Sequence, residues 1–115
     1  WQVIELPFPA KDLWPNSRPH WAAKARAVKK ARAWAYTATL AAKVPTPEGR
    51  MNIRLLVHPR TANRPDADNV IAACKALLDG MAEALGVDDG TFNAPTVVFC
   101  MPAKGGRLFV ELSPE

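Results

Sequence analysis

The sequence has few of the residues that build disulfide scaffolds, zinc sites or membrane spans. Only two cysteines, Cys74 and Cys100, occur among the 115 residues. They are too few for a disulfide framework, and their spacing is not that of a metal site. The apolar runs are short and interrupted, so no segment is predicted to cross a membrane, and no secretory signal is visible. We therefore expect one soluble domain over residues 1–115, in a reducing, cytoplasmic setting.

Histidine is equally scarce, since the sequence contains only His20 and His58. They lie far apart in sequence and have no partner at catalytic or metal-ligand spacing, so we expect structural roles for both. The sequence also lacks a convincing Ser/His or Cys/His set, which argues against a covalent nucleophile. Both cysteines are expected to be buried thiols, Cys74 on the apolar stripe of a helix and Cys100 in a strand.

Charge is present but unevenly distributed. The net charge is +4. Residues 1–65 contain twelve Lys and Arg and three acidic residues, whereas residues 66–115 contain three Lys and Arg and eight acidic residues. The two parts therefore carry +9 and −5. Such segregation is typical of a polyanion-binding surface beside an acidic pocket. Uneven charge that serves only to solvate the protein is the alternative.

Hydrophobic periodicity and turn residues predict six elements in the order β-α-β-α-β-β. Strands are expected near Val3–Leu6, Met51–His58, Thr96–Met101 and Leu108–Leu112, and helices from His20 to about Lys43 and from Asp66 to Gly86. The Gly105-Gly106 turn favours a hairpin of the last two strands. The predicted fold class is α/β in the broad sense and α+β more narrowly, a small mixed sheet with the helices packed on it.

The first predicted helix is rich in alanine and positively charged. Its basic residues spread over most of the circumference, because successive residues are ~100° apart; they are Lys24, Arg26, Lys29, Lys30 and Arg32. We interpret them as phosphate contacts to nucleic acid, the alternative being a solvated exterior. Arg60 and Arg64 precede the acidic residues and are further candidates for phosphate contact. The tryptophans Trp14, Trp21 and Trp34 are expected in the core or an interface rather than stacked on bases.

The most informative segment is residues 64–89, RPDADNVIAACKALLDGMAEALGVDD. Asp66 is placed to cap the second helix, and Asp68 lies in its first turn, where negative charge suits the helix dipole. Asp88 and Asp89 follow the end of the helix. Four carboxylates brought together would repel one another unless a cation lay between them, and Mg²⁺ prefers carboxylate oxygens. The alternative is that these residues form only caps and an ordinary polar turn.

Lys75 lies within the same helix, seven residues after Asp68. It therefore lies on nearly the same face and ~10 Å further along the axis. Its long side chain can reach toward the carboxylates and a bound phosphate. An i,i+4 ion pair with Asp79, worth only a few tenths of a kcal/mol, is the simpler interpretation. The two roles are compatible.

The D-x-D-N opening, the K-A-x-x-D-G segment from Lys75 to Gly80 and the later D-D pair together resemble the RusA family of Holliday junction resolvases. These are endodeoxyribonucleases common in phages and prophages. The likeness covers most of the chain, because it extends to LPFP (Leu6–Pro9), to Pro15-Asn16, to His20-Trp21 before the basic helix, and to the closing MPAKGGRLFVEL (Met101–Leu112).

The resemblance implies that Asp66, Asp68 and Asp89 are catalytic carboxylates that hold Mg²⁺. It makes Asp88 a neighbouring fourth carboxylate and Lys75 the active-site lysine. In the family form the lysine comes four residues after the second aspartate of D-x-D-N, where this chain has Ala72. Here the lysine comes seven residues after it. The resemblance further implies a homodimer, whose two active sites would nick two strands of a four-way junction symmetrically.

The implied reaction is metal-assisted phosphodiester hydrolysis in DNA recombination and repair. Mg²⁺ would polarise the scissile phosphate, orient the attacking water and neutralise charge on the leaving oxygen. Lys75 would stabilise charge on the phosphoryl oxygens. Two alternatives stay open. One is a phage DNA-binding or accessory protein of the same fold that does not cleave, and the other is a Mg²⁺-dependent nuclease acting on flaps or single strands.

Overall fold

The computed structural model describes residues 2–115, in which two long helices, four strands and two short 3-10 helices are formed. The strands are β1 (Gln2–Leu6), β2 (Met51–His58), β3 (Thr96–Phe99) and β4 (Arg107–Pro114). The long helices are α1 (Trp21–Ala41) and α2 (Ala67–Leu85), and the 3-10 helices cover Lys11–Leu13 and Asp89–Thr91. Helices packed on a mixed sheet make an α+β fold, which confirms the predicted fold class.

The strands lie in the order β1-β4-β2-β3. β4 pairs antiparallel with β1 on one side and with β2 on the other, whereas β3 runs parallel to β2 at the edge. The predicted hairpin of β3 and β4 is therefore wrong. The turn itself forms, with Gly105 and Gly106 both at positive φ. The connection, however, crosses the end of β2, where the Ala103 N–H donates to the Pro59 carbonyl at 2.9 Å.

One face of the sheet is covered by the helices and forms the core. Alternate residues of β2 and β4 point to this side and are buried: Ile53, Leu55, Val57, Leu108, Val110 and Leu112. The predicted apolar stripe of α2 packs over them, and its buried members are Val70, Cys74, Leu77, Met81 and Leu85. The opposite face carries half-buried Leu56 and Phe109 between two ion pairs, Arg54–Glu111 and Arg107–Glu5.

The two long helices approach each other most closely at Gly80. A Cβ atom at this position would lie 2.3 Å from the carbonyl oxygen of Arg32, so only glycine permits this backbone contact. Ala31 and Ala35 are buried on the same part of α1. The alanine-rich sequence of α1 therefore serves close packing as well as helix propensity.

Neither long helix is a candidate membrane span. Within residues 2–115, no helix is long and apolar enough to cross a bilayer.

Candidate active site

The acidic segment begins at the first turn of α2. Asp66 occupies the N-cap position, with φ −63° and ψ 142°, and its carbonyl accepts the Val70 N–H at 3.0 Å. Its carboxylate makes no capping hydrogen bond, so the expectation that this side chain caps the helix is wrong. Asp68 follows in the first turn, and both aspartates are exposed. The Asp66 carboxylate is therefore free to bind an external ligand.

The second acidic pair follows the end of α2. The helix stops before Gly86, as predicted, and this glycine adopts a left-handed conformation with φ 70°. The Val87 N–H donates back to the Ala82 carbonyl at 3.0 Å, which turns the chain across the helix end. Asp88 is the N-cap residue of the next 3-10 helix and Asp89 is its first residue. The tight turn thus holds both carboxylates at the surface.

Asn93 anchors the segment after this short helix to the edge of the sheet. Its N–H donates to the carbonyl of Met51 at 2.8 Å. Its side-chain amide donates to Asn52 at 2.9 Å and to Glu115 at 3.0 Å, and accepts from Arg50 Nε at 2.7 Å. These contacts fix the preceding 3-10 helix in place. Sequence reasoning missed Asn93, because a single asparagine in a loop gives no sign of its partners.

Lys75 connects α2 to the 3-10 helix. Its ammonium lies 3.5 Å from Asp79 Oδ1, which is the predicted i,i+4 pair, and 3.8 Å from Asp89 Oδ2. The Lys75 side chain is 70% exposed, so these pairs are screened and contribute little stability. The structure therefore brings together Lys75 and Asp89 but leaves Asp66 and Asp68 outside the pair.

A groove of about 240 Å³ runs along this face of α2. Lys75, Asp79 and Asp89 line it together with Ala72 and the apolar residues that follow the 3-10 helix. Asp68 lies on the same face, four residues and ~6 Å along the axis before Ala72. The groove therefore leads from the lysine toward the D-x-D-N end of the helix.

The four predicted carboxylates are not gathered into one cluster. Among residues 2–115, no group of three or more His, Cys, Asp or Glu side chains is arranged to hold a metal ion. One acidic pair is Asp66 with Asp68, and the other is Asp88 with Asp89. The two pairs were expected to converge, and in this conformation they do not. The donor chemistry nevertheless fits Mg²⁺, which keeps several waters and is commonly held by one or two carboxylates.

The basic residues of α1 form an exposed surface, as predicted. All five are exposed: Lys24, Arg26, Lys29, Lys30 and Arg32. Within the described part of the chain, one of them enters an ion pair, Arg32 with Glu83 of α2 at 3.3 Å. The other four carry their charge into solvent, where a polyanion could contact it.

Arg60 and Arg64 lie in the loop that joins β2 to α2. The Arg60 guanidinium carbon is 5.3 Å from the centre of the Phe8 ring, and that of Arg64 is 4.8 Å from the centre of Phe99. Cation–π contacts of this kind orient the planar guanidinium and leave its N–H edge available. Both arginines are exposed, which suits the predicted phosphate contacts.

Both histidines have structural roles, as predicted. His20 Nδ1 accepts the Ala22 N–H at 3.2 Å and so caps the start of α1. His58 Nδ1 lies 2.8 Å from the carbonyl oxygen of Met101 and ties the β3–β4 connection to the end of β2.

The residues expected in the interior are only partly buried as predicted. Cys74 is fully buried, and burial raises the pKa of its thiol to about 12. Cys100 is only half-buried, so the expectation for this thiol is wrong. Trp14 is half-buried, but Trp21 and Trp34 are 77% and 53% exposed. Core placement is therefore wrong for these two tryptophans, and interface packing, the other placement expected for them, stays a prediction.

The sequence matches none of the known protein-family models. It is 42% identical over 117 aligned positions to an uncharacterized protein of Xylella fastidiosa (strain Temecula1). The alignment covers 97% of this chain and 76% of that protein. The chain belongs to the same family as the Xylella fastidiosa protein.

Proposed function

We propose that the protein is a Mg²⁺-dependent, structure-selective endodeoxyribonuclease of the RusA type. It would resolve four-way (Holliday) DNA junctions by paired nicks during recombination and repair in the cytoplasm. The observation that carries the proposal is the 3.8 Å approach of Lys75 to Asp89, on the α2 face that begins with Asp68. A cation beside carboxylates in an open groove suits a phosphodiester, whose cleavage is accelerated by a metal site and by a positive partner for the phosphoryl oxygens.

The residues of this group divide into two roles. Asp66, Asp68 and Asp89, with Asp88 beside them, would hold Mg²⁺, which supplies Lewis-acid activation of the phosphate. Lys75 stabilises negative charge on the phosphoryl oxygens. Its position seven residues after Asp68 is compatible with this role, because the side chain reaches Asp89 directly.

DNA binding rests on the basic surface outside the groove. The exposed bases of α1 contact phosphates without regard to sequence. Arg60 and Arg64, held over aromatic rings, add directed contacts near the acidic start of α2. A homodimer would place two such sites on one junction, so that two strands are nicked symmetrically.

The second candidate function is DNA binding without cleavage, in an accessory protein of the same fold. The observation that favours it is that the carboxylates do not form a three-ligand group within residues 2–115. The basic surface would then act alone, and the aspartates would serve only as surface charge.

The test is a nicking assay with purified protein on labelled DNA, with and without Mg²⁺. The substrates are a four-way junction, a flap, a single strand and a linear duplex of matched sequence. Asp68→Asn removes one proposed metal ligand without changing side-chain shape. Glu48→Gln is the matched control, because it neutralises an exposed carboxylate in the loop between α1 and β2.

We expect Mg²⁺-dependent paired nicks in the junction, lost in Asp68→Asn and kept in Glu48→Gln. Tight junction binding without nicking by the wild type would favour the accessory protein. If the flap or the single strand is cut in preference to the junction, the protein is a flap or single-strand nuclease and not a junction resolvase.

A further inference from the structure

A second cavity opens beside the start of α2, apart from the groove that contains Lys75. Its volume is about 520 Å³, within the ordinary range for small-ligand sites. One wall is the segment from Phe8 to Ser17, and the other is the loop from Pro59 to Pro65. Pro65 directly precedes Asp66 in the sequence. The cavity is therefore adjacent to the acidic end of the proposed active site.

The first wall presents aromatic surface. The rings of Phe8 and Trp14 have centroids 5.8 Å apart and planes tilted by 33°. Trp14 Nε1 donates to the Pro9 carbonyl at 3.1 Å, which fixes the orientation of the indole. Both rings are half-buried, so each is held by the core while part of its surface still faces the cavity. Fixed aromatic surface of this kind is suited to stacking against a nucleobase.

The second wall presents positive charge. Arg60 and Arg64 both line the cavity, and Lys11 faces them from the first wall. No acidic side chain is among the described residues that line it. Because Phe8 and Phe99 support the two guanidinium groups, their planar forks are oriented for bidentate contact with a phosphate.

A larger cavity elsewhere lacks this combination. It measures about 630 Å³ and is lined by Arg50 together with Glu48 and Glu115, and none of its described lining residues is aromatic. Aromatic surface and unopposed cations therefore coincide at the cavity beside Asp66.

We propose that this cavity binds one unstacked nucleotide of a DNA strand. The base packs against Trp14, whose ring is supported by Phe8. Asn16 and Asn63 offer hydrogen bonds to the edge of the base, and the adjoining phosphate contacts Arg60 and Arg64. The choice of DNA as the source of the nucleotide rests on the proposed function. A DNA strand can supply such a nucleotide, because taking a base out of the stack costs only a few kcal/mol and costs least where the strand is unpaired.

The experiment measures binding in EDTA, so that cleavage does not contribute. A fluorescein-labelled single-stranded dT hexamer and a labelled DNA hairpin whose stem is fully paired are titrated with wild-type protein, and anisotropy gives the dissociation constants for single strand and duplex. Arg60→Gln and Trp14→Leu remove one contact from each wall. Lys43→Gln is the matched control, since it removes one exposed positive charge beyond the end of α1. Circular dichroism checks folding, and Arg60→Gln keeps the test decisive if Trp14→Leu unfolds, because Arg60 is exposed.

We expect each cavity variant to bind the single strand at least about five-fold more weakly, because Trp14→Leu loses one stacking contact and Arg60→Gln loses one charge-assisted phosphate contact. Duplex binding by Trp14→Leu should change by less than about two-fold, Arg60→Gln should lose more affinity for the single strand than for the duplex, and Lys43→Gln should match the wild type on both DNAs. Equal losses on single strand and duplex would overturn the inference. Competition by free dAMP that is as effective as the unlabelled hexamer would overturn the assignment to a DNA strand.

The outcome is separable from that of the nicking assay. A selective loss of single-strand binding in a protein that never nicks DNA would support the cavity and reject the nuclease. Junction nicking in a protein whose cavity variants bind both DNAs normally would reject the cavity alone.

Discussion

Lys75 on α2 and Asp89 on the following 3-10 helix are held 3.8 Å apart, Nζ to Oδ2, by the fold rather than by their own attraction. Both side chains are largely exposed, so the ion pair itself is weak. The approach is instead enforced by the turn at Gly86 and by the anchoring of Asn93 to the sheet. A lysine and a carboxylate brought together at little energetic benefit are well placed to act on a ligand.

Replacing Lys75 tests this directly. In Lys75→Gln we expect junction nicking to slow by about 10²–10³-fold, the usual effect of removing one group that stabilises transition-state charge. Stability should change by less than about 1 kcal/mol, because only exposed ion pairs are lost. Lys75→Arg should recover part of the rate, and Lys43→Gln should leave it unchanged. Single-turnover nicking rates and urea titrations measure the two effects. A rate within two-fold of the wild type would exclude Lys75 from catalysis.

Gly80→Ala should destabilise the protein by about 1–3 kcal/mol, the usual cost of overpacking. The added Cβ would lie 2.3 Å from the Arg32 carbonyl oxygen. The better helix propensity of alanine, worth about 1 kcal/mol, offsets only part of this. Gly49→Ala is the control, because nothing lies within 4 Å of its Cβ position. The stability of both variants is measured by the midpoint of urea unfolding. Equal midpoints for Gly80→Ala and Gly49→Ala would show that α1 can move away from α2.

Cys74 should be unreactive in the folded protein. Desolvation raises the pKa of its thiol from 9.0 to about 12, so almost no thiolate is present at pH 8. We expect Cys100→Ser, in which Cys74 is the remaining cysteine, to react with Ellman's reagent only after unfolding in urea. Cys74→Ala should react without denaturant through half-buried Cys100. Rapid labelling of native Cys100→Ser would show that α2 opens locally.

The raised pKa of the Cys74 thiol makes the stability of the fold depend on pH in the alkaline range. The folded state keeps the Cys74 proton at pH values where the unfolded state has lost it. The thiol's contribution is therefore complete below pH 9.0 and is lost as pH rises toward about 12. Urea unfolding of wild type and Cys74→Ala across this range should show a steeper decline for the wild type.

Glu5 should titrate below its ordinary range. Its hydrogen bonds from Arg107, at 2.9 and 3.0 Å, lower the pKa of the carboxyl from the ordinary 4.5. The pair therefore stabilises the fold above the ordinary carboxyl pKa, and this contribution is lost as pH falls through the lowered value. Arg107→Gln should return the pKa of Glu5 toward 4.5, and Arg50→Gln should not. Carboxyl-carbon NMR titration measures the pKa, and an unchanged value in Arg107→Gln would contradict the pairing.

Local patterns were sufficient to predict the helices and strands. The apolar stripe of α2 and the alternation of β2 are each set by neighbouring residues, and both elements form where their periodicity indicates. The β3–β4 hairpin was wrong because Gly105 and Gly106 specify a turn but not the strand that β4 pairs with. Pairing with β2 buries the alternate residues of both strands, and that preference is tertiary.

The candidate site was predictable only in part, for a related reason. The sequence places Asp66, Asp68 and Lys75 on one helix, and helix geometry alone relates them. The position of Asp89 depends on the anchor at Asn93, which connects it to residues far away in sequence. The uncapped state of Asp66 likewise depends on a rotamer that no spacing rule specifies.

The position of β4 within the sheet has a consequence for how the protein is assembled. β1 forms its ladder with β4, from Gln2 opposite Leu112 to Leu6 opposite Leu108, so the first strand pairs with the last. Contacts this distant along the chain slow folding, because a long loop must close before they form. A ribosome-bound chain that stops before Arg107 would leave β1 without its partner and would expose the edge of β2. We therefore expect the sheet to be completed only after β4 has emerged from the ribosome, with α2 and β2 as the parts able to assemble earlier.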